Sequence, residues 1–564
     1  MAIINGDNGN NTLIGTDGDD QINGFGGNDL IDGRFGFDLM DGGDGNDTTT
    51  YAFYFGGINA NLQTGVVSFP GNSPGTDTLL NIENVIGSGG NDVITGDGFD
   101  NNLFGGAGDD LLDGSFGFDY LDGGDGNDTA TYAFYSGGIN ANLQTGVVSF
   151  PGNGTLTDTL VNIENVIGSN GNDVITGDGF DNNLFGGAGD DLLDGSFGFD
   201  YLDGGDGNDT ATYAFYFGGI NANLQTGVVS FPGTGDRTDT LVNIENVIGS
   251  NGNDTIIGDG FDNNLFGGAG DDLLDGSFGF DYLDGGDGND TVTYSFYFGG
   301  INANLQTGVV SFPGTGDRTD SLVNIENLIG SGGNDIITGT PNGNTLEGGQ
   351  GNDTIDGKAG NDILIGGSGD DVYTVSDAGD QVREILNEGV DTIAASLSFT
   401  LPNNVERLAL LGTANINATG NAIDNVLLGN TGANVLTGGA GNDILIGNAG
   451  RDALKGGTGA DRFTFVSPQD GIDRIAGFSR PQGDKVVFLS SGFGNLPAGA
   501  VPADQFVAGT RAKDSNDRFI YDVTTSSLFY DADGRGGVGQ VKIATFDNQP
   551  TLAATDLLIV TAAF

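Results

Sequence analysis

Residues 105–128 read GGAGDDLLD, GSFGFDYLD and GGDGND, with glycine in the first and fourth places of a nine-residue unit, aspartate in the sixth and an apolar residue in the eighth. The glycines permit backbone angles that other residues avoid, and only three residues remain to extend, so each unit is a turn followed by a very short strand. A three-residue strand cannot stand alone and must stack on copies of itself.

The rest of the chain supplies the copies. Nonads in one phase start at Gly6, Gly15, Gly24, Gly33 and Gly42, and further blocks begin at Gly87, Gly168, Gly249, Gly330 and Gly420. The first five blocks are 81 residues apart and the last interval is 90, both multiples of nine. A period this regular fixes the architecture before any local propensity is consulted. It predicts an array over 1–374, with nonad blocks at 6–50, 87–131, 168–212, 249–293 and 330–374 and β inserts at 51–86, 132–167, 213–248 and 294–329. A looser β insert at 375–419 and a further block at 420–464 follow. At 465 the composition becomes that of an ordinary globular domain, which sets 465–564 apart.

Each insert, such as YAFYSGGINANLQTGVVSFPGNGTLTDTLVNIENVI at 132–167, alternates apolar and polar residues in short runs broken by Gly and Asn, and so reads as strands and turns. Extra coils of the same solenoid are expected there, with a repeated binding face as the second reading. Five nonads make two and a half coils. An insert of two whole coils then sends the next block to the opposite edge, whereas one and a half larger coils keep it on the same edge.

Glycine accounts for 107 of 564 residues, and the formal charge is -61, from 78 acidic and 17 basic residues. Such an acidic excess argues against nucleic acid or anionic membranes as partners and points to cations. Between Phe35 and Asp236 there is no Lys or Arg, so the carboxylates of the first half are either spread out in water or met by a metal. Without Cys there is no disulfide or thiol chemistry, and without His the usual general base and commonest zinc ligand are gone. The N-terminus enters the repeat directly, so no cleaved secretory peptide is expected, and no apolar stretch is long enough to span a bilayer.

If two nonads make one coil, Asp92, Asp110 and Asp128 form a column with about 4.8 Å between neighbours. Two carboxylates at that distance repel by about 3.5 kcal/mol at an effective dielectric of 20. A hard cation that takes six to eight oxygens, from carboxylates and from the free carbonyls of glycine turns, removes the repulsion and cross-links the coils. Calcium fits better than magnesium, which demands strict octahedral geometry, and softer metals want His or Cys.

The nonads resemble those of the RTX (repeats-in-toxin, haemolysin-type calcium-binding) proteins, whose consensus GGxGxDxUx appears as GGAGDDLLD at Gly105, GGQGNDTID at Gly348 and GGAGNDILI at Gly438. The resemblance implies an all-β chain, a right-handed parallel β-roll or β-helix solenoid that holds several Ca2+ ions between turns through the sixth-place Asp and backbone carbonyls. Carried over by position, the implied ligands are Asp20, Asp29, Asp38 and Asp47 in the first block and Asp92, Asp110, Asp119 and Asp128 in the second. They continue with Asp173, Asp191, Asp200, Asp209, Asp254, Asp272, Asp281 and Asp290, then Asp335, Asp353, Asp362, Asp371, Asp443, Asp452 and Asp461. Units opening at Gly96, Gly177 and Gly258 carry Phe in fourth place and Asn in sixth, so their sites are expected to be weak or empty. Three ions per block would give about 18, or roughly +36 of charge.

Other candidates carry less. Phe116, Phe118 and Tyr120, with copies at Phe197, Phe199 and Tyr201, are expected to pack between a turn and the neighbouring insert rather than to form a carbohydrate platform. Glu83, Glu164, Glu245 and Glu326, each in an Ile-Glu-Asn frame, are expected to be structural or metal-ligating rather than paired acids of a glycosidase. Asp531 and Asp533 open an EF-hand-like run, but Lys542 stands where the bidentate Glu belongs. The RTX metalloproteases and lipases use His-dependent sites, which this chain cannot build, and no segment of catalytic-domain size lies outside the array, so no enzyme activity is expected.

The segment 465–564, through GADRFTF, GDKVVF and SLFYDADG, resembles the terminal domain of many Gram-negative, particularly cyanobacterial, RTX proteins. That resemblance implies a cap, export by type I secretion machinery through an uncleaved C-terminal signal around Asp556 to Val560, and a secreted, extracellular or cell-surface location, with surface polysaccharide a candidate partner. Where calcium is scarce the acidic chain repels itself and stays unfolded; outside, calcium binds only the folded form and draws folding forward.

Overall fold

The computed structural model describes residues 1–71, 75–152 and 156–564, so the parts of the first two inserts at 72–74 and 153–155 lie outside the described residues. The chain divides into two compact units, Met1–Asp290 and Thr291–Phe564. Among the described residues the regular structure is short β-strands and two single 3-10 turns, at Ala503–Gln505 and Ala554–Asp556. Each nonad folds as its spacing dictates. Gly106 and Gly108 take φ of +114° and +117°, left-handed values that close the turn, and Leu111–Asp113 then extends.

In the first unit, strand pairing joins each nonad to the next but one. Val93–Thr95 lies parallel to Leu111–Asp113, and Asn102–Ala107 lies parallel to Tyr120–Asp125, so two nonads make one coil and two sheets face each other. The eighth-place side chains fill the space between them: Ile94, Leu103, Leu112, Leu121 and Ala130 are wholly buried. Each buried Leu or Ile stabilises the roll by roughly 2 kcal/mol, and the supply of one per nine residues is what makes stacking obligatory.

The inserts depart from simple coils. Asn59–Asn61, Val66–Ser68 and Thr76–Leu80 form an antiparallel meander. Its last strand lies parallel on Leu39–Asp41 of the preceding block, and its first lies parallel to Val93–Thr95 of the following one. The other sheet skips the meander, with Thr48–Thr50 pairing directly with Asn84–Ile86. One sheet therefore gains three strands while the other gains none, and the next block starts on the opposite side. Thus Tyr120–Asp125 meets the second meander through Thr157–Val161 in one sheet, and Tyr201–Asp206 meets the third through Thr238–Val242 in the other.

In the second unit one parallel ladder runs from Ile336–Thr338 through Thr354–Asp356, Val372–Val375, Thr392–Ala395, Arg407–Leu410, Val426–Leu428, Ile444–Ile446 and Arg462–Phe465 to Lys485–Leu489 and Leu557–Val560. The pairing carries on past the change of composition at 465. Opposite, one ladder ends at Gln381–Arg383 and a separate sheet begins at Phe399–Thr400. That sheet runs on through the antiparallel strands Val541–Phe546, Ser527–Tyr530 and Phe519–Asp522 and finishes in Phe506–Ala508, which is parallel to Phe519–Asp522. Phe488, Phe493, Phe519 and Tyr530 close the end with ring centroids 4.4 to 6.4 Å apart, a globular core where the repeat has run out.

Candidate metal centre

The sixth-place Asp sits at the mouth of each turn, and the coil places it in a column. The backbone N–H of Asp92 donates to Asp110 Oδ1 at 2.7 Å, and that of Asp110 donates to Asp128 Oδ1 at 2.8 Å. The same bond joins Asp20 to Asp38, Asp29 to Asp47, Asp173 to Asp191, Asp191 to Asp209, Asp254 to Asp272 and Asp272 to Asp290. Asp119, Asp200 and Asp281 accept from the N–H of an Asn one coil before. In the second unit it joins Asp335 to Asp353, Asp353 to Asp371 and Asp443 to Asp461, while Asp362 and Asp452 accept from Asn344 and Asn434.

One oxygen is thereby fixed and the other is left over. Oδ2 of Asp29, Asp38, Asp47, Asp110, Asp119, Asp128, Asp191, Asp200, Asp209 and Asp272 is buried without a hydrogen-bond partner, as is that of Asp353, Asp362, Asp371, Asp443, Asp452 and Asp461. A buried, unpartnered carboxylate oxygen is costly unless something positive meets it. The first-place glycine shows what the turn accommodates: a Cβ at Gly105 would collide with Asp110 Oδ2 and lie 2.6 Å from the carbonyl oxygen of Gly123 on the next coil. Carboxylate and carbonyl oxygens thus converge on a space kept free of side chains, the donor set of a hard, oxygen-loving cation such as Ca2+. Burial first, and neighbouring carboxylates second, push Asp110, Asp191 and Asp272 up to about 7 in the metal-free fold.

Five of the implied ligands are held differently. Both carboxylate oxygens of Asp92 are taken, Oδ1 by the Ile58 N–H and the Ser88 hydroxyl at 2.7 Å each and Oδ2 by the Ser88 N–H at 2.5 Å. Asp173, Asp254 and Asp335 repeat this with Ser169, Ser250 and Ser331, and Asp20 does so with Thr16 and Ala2. The sixth-place Asn residues leave no oxygen over either: Asn101 Oδ1 accepts from the Asp97 N–H at 2.8 Å and its amide nitrogen donates to Glu83 O at 2.9 Å.

The columns also contain residues that lie outside the nonad blocks. Asp77, Asp158 and Asp239, in the meanders, accept from the N–H of Asp38, Asp119 and Asp200. The Ile-Glu-Asn glutamates Glu83, Glu164 and Glu245 accept from Asp47, Asp128 and Asp209 at 2.8 Å each, so they extend the columns. Asp380, Asp391, Asp473 and Asp484 do the same in the second unit. The signal available was recurrence, since a Thr-Asp-Thr or Thr-Asp-Ser run and the Glu return every 81 residues. Of the turn aromatics, Tyr120 packs on Phe104 with centroids 5.7 Å apart, whereas Phe116 and Phe118 stay exposed. The copy Phe197 meets the third insert through Arg237, whose guanidinium lies 5.4 Å from its ring.

A parallel β-solenoid with carboxylate columns in its turns defines a calcium-binding repeat protein of the β-roll class. The model of the RTX calcium-binding nonapeptide repeat matches residues 5–40, 86–121, 104–130, 167–202, 185–212, 248–283, 273–295, 324–340, 338–373, 419–454 and 428–463. The nonads of this chain are RTX calcium-binding nonapeptide repeats. Similar solved structures include the solution structure of the AlgE6R3 subunit of the Azotobacter vinelandii mannuronan C5-epimerase, 28% identical over 26% of this chain and 81% of that one, with a TM-score of 0.16. Another is the extracellular lipase LipA of Serratia marcescens, 19% identical over 40% of each chain, with a TM-score of 0.13. No curated protein matches the chain. Among the described residues no helix is long and apolar enough to cross a membrane.

Proposed function

We propose that this chain is a secreted, non-enzymatic RTX repeat protein whose roll folds on extracellular calcium and serves a structural or surface-associated role. The observation that carries the reading is the row of buried Oδ2 atoms without partners, each fixed by its own Oδ1 bond in a turn lined with carbonyls. The sixth-place aspartates with such an oxygen are the ligands, and the glutamates and aspartates that extend the columns join them. Export by type I secretion machinery rests on the resemblance of the segment 465–564, with Leu557–Val560 as the final strand. A second reading, carbohydrate binding by the inserts, is supported by a cavity of about 280 Å³ lined by Asn61, Gln63, Asp113, Phe116 and Tyr135. It recurs 81 residues on, at about 400 Å³, with Asn142, Gln144, Asp194, Phe197 and Tyr216.

Circular dichroism with and without millimolar calcium tests the main reading. The chelated chain is expected to be largely disordered and to gain β signal when calcium is restored. A chain fully folded in chelator and indifferent to the ion would overturn it.

A further inference from the structure

We propose that Asp371, Glu384 and Asp391 form a three-carboxylate site for a divalent cation of the calcium class, at the junction of the fifth nonad block and the insert that follows. The site is not a nonad pair, because Glu384 belongs to no nonad. The register Ile363 with Gln381, Leu364 with Val382 and Ile365 with Arg383 sets Glu384 opposite Gly366. One coil earlier the pairing of Gly349 with Gly367 sets Gly366 itself opposite Gly348. Glu384 therefore stands where a first-place glycine otherwise stands, and brings a carboxylate to a place that elsewhere offers only a carbonyl.

The surroundings prepare that carboxylate for a cation. One oxygen from each of the three residues lies within 4.8 Å of the others. Asp371 is wholly buried, its Oδ1 accepts the Asp353 N–H at 2.8 Å, and its Oδ2 has no partner. Glu384 Oε1 accepts the Tyr373 hydroxyl, while its Oε2 is buried and unpartnered. Asp391, 1% exposed, accepts the Asp371 N–H at 2.9 Å, and its own N–H donates to Glu406. None of the ion pairs among the described residues involves the three. Two local departures from the repeat distinguish this turn. Tyr373 replaces the aliphatic eighth-place residue and lifts its hydroxyl into the space above Gly366, and Val372 pairs with Thr392 across a coil two residues longer than the nonad coil. Two unpartnered buried oxygens beside a third carboxylate form a more strongly charged donor set than a regular turn has, and affinity for calcium rises with the charge of its ligands.

Anomalous diffraction from full-length crystals grown in calcium decides it, with Glu384→Gln as the variant because glutamine keeps the shape and the contact to Tyr373. The expected result is a peak within bonding distance of all three carboxylates, absent in E384Q while peaks in the nonad turns persist. Nonad peaks without a peak at the cluster, or a peak unchanged in E384Q, would overturn this inference alone. The absence of peaks anywhere would overturn it together with the calcium reading of the nonads, on whose chemistry it rests. Should E384Q fail to fold, the wild-type map still decides.

Discussion

At the scale of the residue, the difference between a calcium ligand and a structural hydrogen-bonder is one atom. Asn101 and Asp110 occupy the same place in successive nonads, but the amide nitrogen of Asn101 finds the carbonyl of Glu83, whereas Oδ2 of Asp110 faces other oxygens. Asp110→Asn should therefore keep the bond that Oδ1 accepts from the Asp92 N–H of the preceding coil while removing a charge from the site. Calorimetric titration is expected to show fewer calcium ions bound, and stability in saturating calcium should fall by about 1–3 kcal/mol. Unaltered stoichiometry would show that Asp110 is not a ligand. The sixth-place Asp was legible from sequence because its role repeats with the turn. The satisfied state of Asp92 and its copies was not, because besides Ser88, which replaces the second-place glycine, it depends on the Ile58 N–H from the distant insert.

At the scale of the element, the outer strands of the third meander pair with the roll, and Arg237 ties down the loop between them. Its Nε donates to Gly198 O and its Nη2 to Ser196 O, each at 2.7 Å, and its guanidinium lies 3.8 Å from the Phe231 ring centroid. Arg237→Ala should loosen the loop of the third insert at a cost of about 1–2 kcal/mol, with little effect on the nonads. Limited proteolysis in calcium is expected to cut this loop faster in R237A, with the fragments staying associated. Cleavage rates equal to wild type would show that the arginine anchors nothing. Sequence announced strands in this segment but not the antiparallel middle strand, since alternation specifies a strand and not its partner.

At the scale of the whole molecule the charge of -61 turns into a dependence on pH and calcium. In the metal-free fold Asp110 and Asp191 of the first unit, and Asp353 and Asp443 of the second, are raised from 3.8 to about 7, chiefly by burial and then by neighbouring carboxylates. A folded pKa above the unfolded one means that the calcium-free fold binds the extra protons. The stability that these groups contribute is fully present below about 4 and is lost as pH rises towards about 7. Calcium must displace the same protons, so the half-saturating concentration should fall as pH rises over that window and level off above it. Calcium titrations followed by circular dichroism from pH 5 to pH 8 measure this, and a midpoint indifferent to pH would refute it.

The sequence by itself determined the nonad, the coil of two nonads, the inward apolar residue and the aspartate column, because each follows from local spacing repeated without interruption. Only the tertiary structure decided that successive 81-residue repeats of the first unit face opposite sheets, that Asp77 and Glu83 with their copies continue the columns, and that Glu384 enters a turn in place of glycine. The physical reason is common to all three. Each depends on which strand lies beside which across an insert, and that register is set by packing between distant segments, which the alternation of the insert does not specify.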